Sequence, residues 1–298
     1  MDRYREISRD KPAHTGVLLG AVASGLAVAA LSGAGDANAT CASISGISVG
    51  SGCTSTATSF AIAFGNGATA SATGTNDFAL ASGTGANASA TGTNDHATAI
   101  GTFSFSRATG TNNVAFARGS NTDAIAGTSK TDSSNTAIAI GTNAEATASN
   151  GNNNTAITMV NNTGNNLSAT TAGNGNNNRA IAIGNNTGNG STFATAAGGN
   201  NNRATAIGNN SGSGFTQALV FGNNNTATAI GNNTGTGFTL AQAQSGSNNT
   251  AFVRGSNSTA TAQTGNLNTA TVFGNNSSAT ATGGNTTVRA FGNNVHKP

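Results

Sequence analysis

The chain has 298 residues, of which 42 are glycine and only 2 are proline, with 7% charged, 5% aromatic and no tryptophan. Ordinary domains run near 25% charged and about 7% glycine, and alanine supplies much of the 36% hydrophobic fraction here. The large side chains that fill a TIM barrel, a Rossmann sheet or a helical bundle are therefore missing. Collagen is excluded because glycine does not recur every third residue and both prolines (Pro12 and Pro298) lie near the ends. Chains that stay unfolded are usually richer in charge and proline, which leaves a repeat protein.

Residues 1–39 read as a secretory signal peptide. Arg3, Arg5, Arg9 and Lys11 give a basic start, an apolar stretch runs from Val17 to Leu31, and Ala37-Asn38-Ala39 supplies the small residues a signal peptidase needs. The stretch is shorter than the ~20 residues of a membrane-spanning helix, so no integral anchor is expected after cleavage. Residues 40–59 form an amino-terminal cap. Its Cys41 and Cys53 are expected to pair, because exported chains meet oxidising conditions.

Residues 60–292 carry a glycine ladder. Glycines fall at 65, 74, 83, 92, 101, 110 and 119, then at 190, 199 and 208, at 222 and 231, and at 265, 274, 283 and 292. A fixed period of this kind marks a solenoid. Runs such as Ala61-Ile62-Ala63-Phe64-Gly65 and Ala137-Ile138-Ala139-Ile140-Gly141 alternate strictly, which predicts short strands, and the Gly/Asn clusters after them predict corners. The fold class is all-β, a parallel β-solenoid or β-roll with nine-residue half-coils and about eighteen residues per coil. About twelve coils at ~4.8 Å each would make a rod of about 60 Å, with stacked Asn corners forming amide ladders. Residues 293–298 are expected to be a tail.

Parity sets the interior. Alanine holds the first and third strand positions, while the second and fourth vary and include Arg118 and Arg254. An unpaired arginine is very costly to bury, so alanine is expected to point inward, the alternative being a monomeric rod with isoleucine and phenylalanine inside. The variable residues then face out, with one coil face apolar and the other lined by hydroxyls. Ile62, Phe64, Leu80, Ile100, Phe116, Ile138, Ile140, Ile181 and Ile183 form an outward strip. Its roughly 400–600 Å² matches or exceeds what a lone soluble protein usually exposes. It is the candidate assembly face, with Arg118 and Arg254 near its rim.

No constellation for chemistry is legible. After the signal segment the only acids are Asp77, Asp95, Asp123, Asp132 and Glu145 and the only histidines His96 and His296, and they are scattered singly. That argues against acid–base catalysis, a metal site or any cofactor, with Asp95 and His96 read as a solvated corner pair. The basic residues do not cluster, which argues against nucleic acid.

The stretch Ala-Ile-Ala-Ile-Gly-Thr-Asn-Ala-Glu-Ala-Thr-Ala at 137–148 resembles the head repeats of trimeric autotransporter adhesins, as do residues 180–184, 204–208 and 227–231. The resemblance implies a trimeric β-roll head that binds host surfaces. Two features depart from that family: the period is nine and eighteen, and no stalk or barrel anchor is legible. The composition also resembles secreted Asn/Thr/Ala/Gly-rich repeat proteins of mycobacteria. The expected role is therefore a secreted or cell-surface structural or adhesive protein, not an enzyme, with a homo-oligomer or a cell-envelope or host surface as partner. Two rivals stand beside it. Thr226/Thr228, Thr259/Thr261, Thr269/Thr271 and Thr280/Thr282 could form an ice-binding array, and the Asn-rich, weakly charged chain could assemble as amyloid.

Overall fold

Alternating alanine and larger residues suit a pleated strand, and a glycine that adopts positive φ turns the chain at its end. The computed structural model describes residues 41–164 and 166–298; the signal segment read at 1–39 lies outside them. The described chain is all β, a parallel solenoid of about 13 turns averaging roughly 19 residues. Each turn contributes one strand to each of two opposed faces.

The first face begins with Phe60–Phe64, which pairs in parallel with Phe78–Ser82, then His96–Thr102, then the start of Val114–Ala126. It continues through the start of Thr136–Ser149 and through Thr155–Asn162, Arg179–Gly188, Arg203–Ile207 and Thr226–Ile230. Thr250–Arg254, Thr269–Phe273 and Thr287–Phe291 complete it. The second face runs from Cys53–Ser55 through Thr69–Thr75 to Ser278–Thr282 and His296–Lys297, so residues in 293–298 continue the rod.

At the amino end, Cys41–Ile44 lies antiparallel on Phe60–Phe64 and covers what would be an open edge of the first face. Cys41 and Cys53 are buried and joined in a disulfide, tying this cap to the first strand of the second face.

The interior is alanine, as expected. Ala61, Ala63, Ala79, Ala81, Ala137, Ala139, Ala204 and Ala206 are all 0% exposed. Val160, Val220, Val253 and Val272 replace alanine at single interior positions. So narrow a core leaves no slack. Ala139→Leu or Ala206→Leu is expected to overpack it and cost about 1–3 kcal/mol, whereas Thr205→Gln, on an outward position, should be nearly neutral. Chemical denaturation of the three variants checks the ranking.

Coil length departs from the constant eighteen. The first face steps by 18 between corresponding corner residues such as Asp95 and Asn113, but by 24 from Asn154 to Asn178 and again to Asn202. The extra residues build a short third side, seen where Thr187–Gly188 pairs with Ser211–Gly212 and that with Thr234–Gly235. A wider coil needs a filled interior, which Asn162, Asn186, Asn210 and Asn233 provide. The Nδ2 of each of the last three donates to the Oδ1 of the preceding one at 2.8–2.9 Å.

The other corner holds a longer ladder. In Gly175-Asn176-Asn177-Asn178 each asparagine has its own task. Asn176 donates its backbone N–H to Oδ1 of Asn200, Asn177 takes a left-handed φ of 58°, and Asn178 turns inward. The inward column runs Asp77, Asp95, Asn113, Asn135, Asn154, Asn178, Asn202, Asn225, Asn249, Asn268. Each Oδ1 accepts the backbone N–H of the next member, beginning with Asp77 and Asp95 at 2.9 Å. This is a side-chain-to-backbone ladder, and it satisfies corner N–H groups that would otherwise be buried unpaired.

Candidate functional site

Side chains that cannot fit the alanine interior are driven outward, so each face displays columns of residues repeated at the strand spacing of about 4.8 Å. On the first face three outward columns are defined by the parallel register. The middle one reads Ile62, Leu80, Thr98, Phe116, Ile138, Ile157, Ile181, Thr205, Thr228, Phe252, Thr271, Arg289. The next reads Phe64, Ser82, Ile100, Arg118, Ile140, Met159, Ile183, Ile207, Ile230, Arg254, Phe273, Phe291. All nine residues of the expected strip therefore lie on one face. Phe64 is exposed and the other eight are half-buried, because neighbouring coils cover their flanks.

The strip is longer than the sequence reading. Ile157 and Met159 join it, although Thr158 and Val160 break the alanine pattern that would have revealed them, and Ile207 and Ile230 continue it. Aromatic rings meet at both ends: Phe60 stacks on Phe78 at 5.6 Å, Phe252 is tilted against Phe273 at 5.2 Å, and Phe273 stacks on Phe291 at 5.5 Å.

Arg118 and Arg254 lie in an outer column of the face, beside the middle one. Register places Arg118 between Ile100 and Ile140, and Arg254 between Ile230 and Phe273, inside the column. A nine-residue period fixes parity but not which residues share a column, so their place among the isoleucines escaped the sequence.

The second face is not uniformly hydroxylated. Thr69, Ser71 and Thr73 begin it, but Phe105, Phe193, Leu219 and Leu240 follow in its outward columns. The threonine pairs are divided: 226/228 and 269/271 lie on the first face, 259/261 and 280/282 on the second. On the first face Phe252 and Arg289 also interrupt them, whereas on the second Thr259 and Thr261 stand beside Ser278 and Thr280.

The titratable groups are structural or dispersed. Asp95 is buried in the corner ladder and His96 points outward, its ring tilted against Phe78 at 6.0 Å, so they are not a solvated pair. Burial pushes the Asp95 carboxyl up to about 6; the Asn113 N–H opposes this and the Asp77 carboxylate adds to it. On the second face burial and neighbouring Glu145 push Asp123 up to about 6, against the pull of Arg107. Burial would also raise Asp132, but N–H groups of Thr128, Ser129, Asn150 and Gly151 converge on it and hold it below the usual carboxylate range. Among the described residues no three His, Cys, Asp or Glu side chains gather at a metal position, and no helix is long and apolar enough to cross a membrane.

The sign of the pH effect follows. An acid whose folded pKa is raised favours folding in its protonated form, so the contributions of Asp95 and Asp123 are fully present below about 4 and withdrawn as pH rises through about 6. Asp132 acts oppositely, losing its contribution only as pH falls below the ordinary carboxylate range. The thermal midpoint should therefore fall between pH 4.5 and 7. Asp95→Asn should remove part of that fall and raise the midpoint at pH 7 by a few degrees. A midpoint that rises over this interval in the wild-type chain refutes the assignment.

No known family, characterised protein or solved structure matches this chain.

Proposed function

We propose that the chain is a secreted or cell-surface β-solenoid with a structural and adhesive role, which works through its surface and does not catalyse a reaction. The carrying observation is the outward strip of isoleucine and phenylalanine along the first face. Its half-buried and exposed side chains form an apolar strip, interrupted by Arg118 and Arg254, that a soluble protein would ordinarily cover. Two further features support the reading. The Cys41–Cys53 disulfide suits an oxidising compartment. The carboxylates of Asp77 and Asp132 hold backbone N–H groups through both oxygens and that of Asp95 through one, so these corner acids serve the backbone.

The test is localisation together with adhesion. The chain should appear outside intact cells with residue 40 at its start and no free thiol, and it should adsorb to cell surfaces through the first face. Retention in the cytosol with both cysteines reduced refutes export. Adsorption unchanged by Ile138→Ser and Ile140→Ser refutes the role of the strip.

A further inference from the structure

The two faces differ in charge as well as in apolar content. Arg118, Arg179, Arg203, Arg254 and Arg289 all project from the first face and are exposed, and none of its outward strand positions is acidic. Asp77 and Asp95 lie beside that face, but both are buried in the corner, where each accepts the backbone N–H of the next member of the ladder. The outward acids, Asp123 and Glu145, stand together on the second face, where Asp123 pairs in register with Phe105 and Glu145.

The cations are interleaved with the apolar side chains and not segregated from them. Arg179 and Arg203 adjoin in one column, with Ile181 and Ile183 two and four residues along the first of these strands. Arg118 and Arg254 interrupt the isoleucine column itself, and Arg289 lies in the same strand as exposed Phe291. Any partner must therefore accept guanidinium groups and apolar side chains within one coil spacing of each other. A second copy of this face adds five more arginines with no outward acid to relieve them, and accumulating like charge across an interface is unfavourable. An anionic polysaccharide would meet the arginines and leave the isoleucines wet. A bilayer of anionic phospholipid supplies both layers: phosphates at the depth of the guanidinium groups and acyl chains just beneath. Arginine stems can lie along the apolar surface with their heads at the phosphates.

From this charge and apolar pattern we infer that the first face lies flat on an anionic phospholipid bilayer. The inference rests on the adhesive reading and names its surface. Twelve strands at about 4.8 Å spacing give a contact roughly 50 Å long parallel to the membrane plane, held by several weak interfacial contacts.

The experiment is co-sedimentation of the exported, disulfide-bonded chain with vesicles of phosphatidylglycerol and phosphatidylcholine in equal parts, and with phosphatidylcholine alone. Partitioning should be at least tenfold stronger on the anionic vesicles and should fall with added salt. Arg179→Gln with Arg203→Gln should weaken it roughly tenfold to thirtyfold. Ile181→Ser with Ile183→Ser should weaken it while leaving the salt dependence in place, and Glu145→Gln on the opposite face should not weaken it. Thermal midpoints of all variants confirm folding. Equal binding to neutral vesicles, binding indifferent to the arginines, or no binding overturns the inference. So does a stable oligomer in light scattering that the Ile181/Ile183 change dissolves, which assigns the face to a second copy. Cell adsorption that persists without vesicle binding removes the lipid and leaves the adhesive reading; loss of both removes both.

Discussion

Gly119→Ala is expected to abolish folding of the rod, or to cost more than about 4 kcal/mol if the chain survives. Gly119 ends a first-face strand with φ +139°, and a Cβ there would lie 1.7 Å from the carbonyl oxygen of Gly141 in the next coil. Neither atom can retreat: both belong to backbone stacked on further coils, with Gly141 itself facing the Val160 carbonyl. The strain of positive φ and the clash add together, whereas most surface substitutions lie within about 0.5 kcal/mol. Gly235→Ala is the control. Its φ is +72° but nothing lies within 4 Å of its Cβ, so it should retain the fold with a modest loss. Far-ultraviolet circular dichroism and thermal melts separate the two. Equal behaviour would show that close approach of the coils is not what the glycine ladder serves.

That contrast explains how far the sequence could be read. Gly65, Gly74, Gly83 and Gly92 recur every nine residues because two corners alternate, one after each face, and each needs a residue without Cβ. Alternation was equally legible, but alanine at 137 and 139 beside isoleucine at 138 and 140 admits either set inward, and only Arg118 and Arg254 in the variable set favoured the buried alanine that the structure shows. The wider coils were less visible. Gly190, Gly199 and Gly208 keep the nine-residue beat, yet Gly190 lies at the end of the inserted third side and Gly199 in the opposite corner. Only the inter-coil pairing, such as Gly188 with Gly212, reveals the longer step. The face on which a given threonine pair lies was hidden for the same reason, because an insertion anywhere upstream reassigns it.

The strip and the arginines illustrate a second limit. Each residue's outward direction is local and was legible. Which residues become neighbours is set by coil length, which differs from turn to turn. Met159 follows Ile140 at a step of 19, and Ile183 follows Met159 at a step of 24. Column membership therefore emerges from packing and not from periodicity. The concentration of arginine on one face and of the outward acids on the other could be read only once the columns were known.

Asn178→Asp should be nearly as disruptive as the glycine change, at about 3–5 kcal/mol near pH 7, though the substitution alters hardly any volume. Asn178 is fully buried. Its Oδ1 accepts the N–H of Asn202 at 3.0 Å, while its Nδ2 donates to the carbonyls of Gly173 at 3.2 Å and Gly199 at 2.8 Å. A carboxylate keeps the first bond, loses the other two, and sets a charged oxygen against two carbonyls, each buried unpaired group costing about 1–3 kcal/mol. Asp77 is accommodated in the same column because the N–H of Gly92 turns towards its second oxygen at 3.0 Å. Around Asn178 that second contact is made to carbonyls. Protonation restores one donor, so the penalty should shrink as pH falls towards 4, in the opposite sense to the gain expected for Asp95→Asn at pH 7. Paired denaturation curves of the two variants at pH 4.5 and 7 make the comparison. If Asn178→Asp unfolds with the wild-type midpoint at pH 7, the corner ladder carries no stability and stacking of the alanine sheets alone holds the rod.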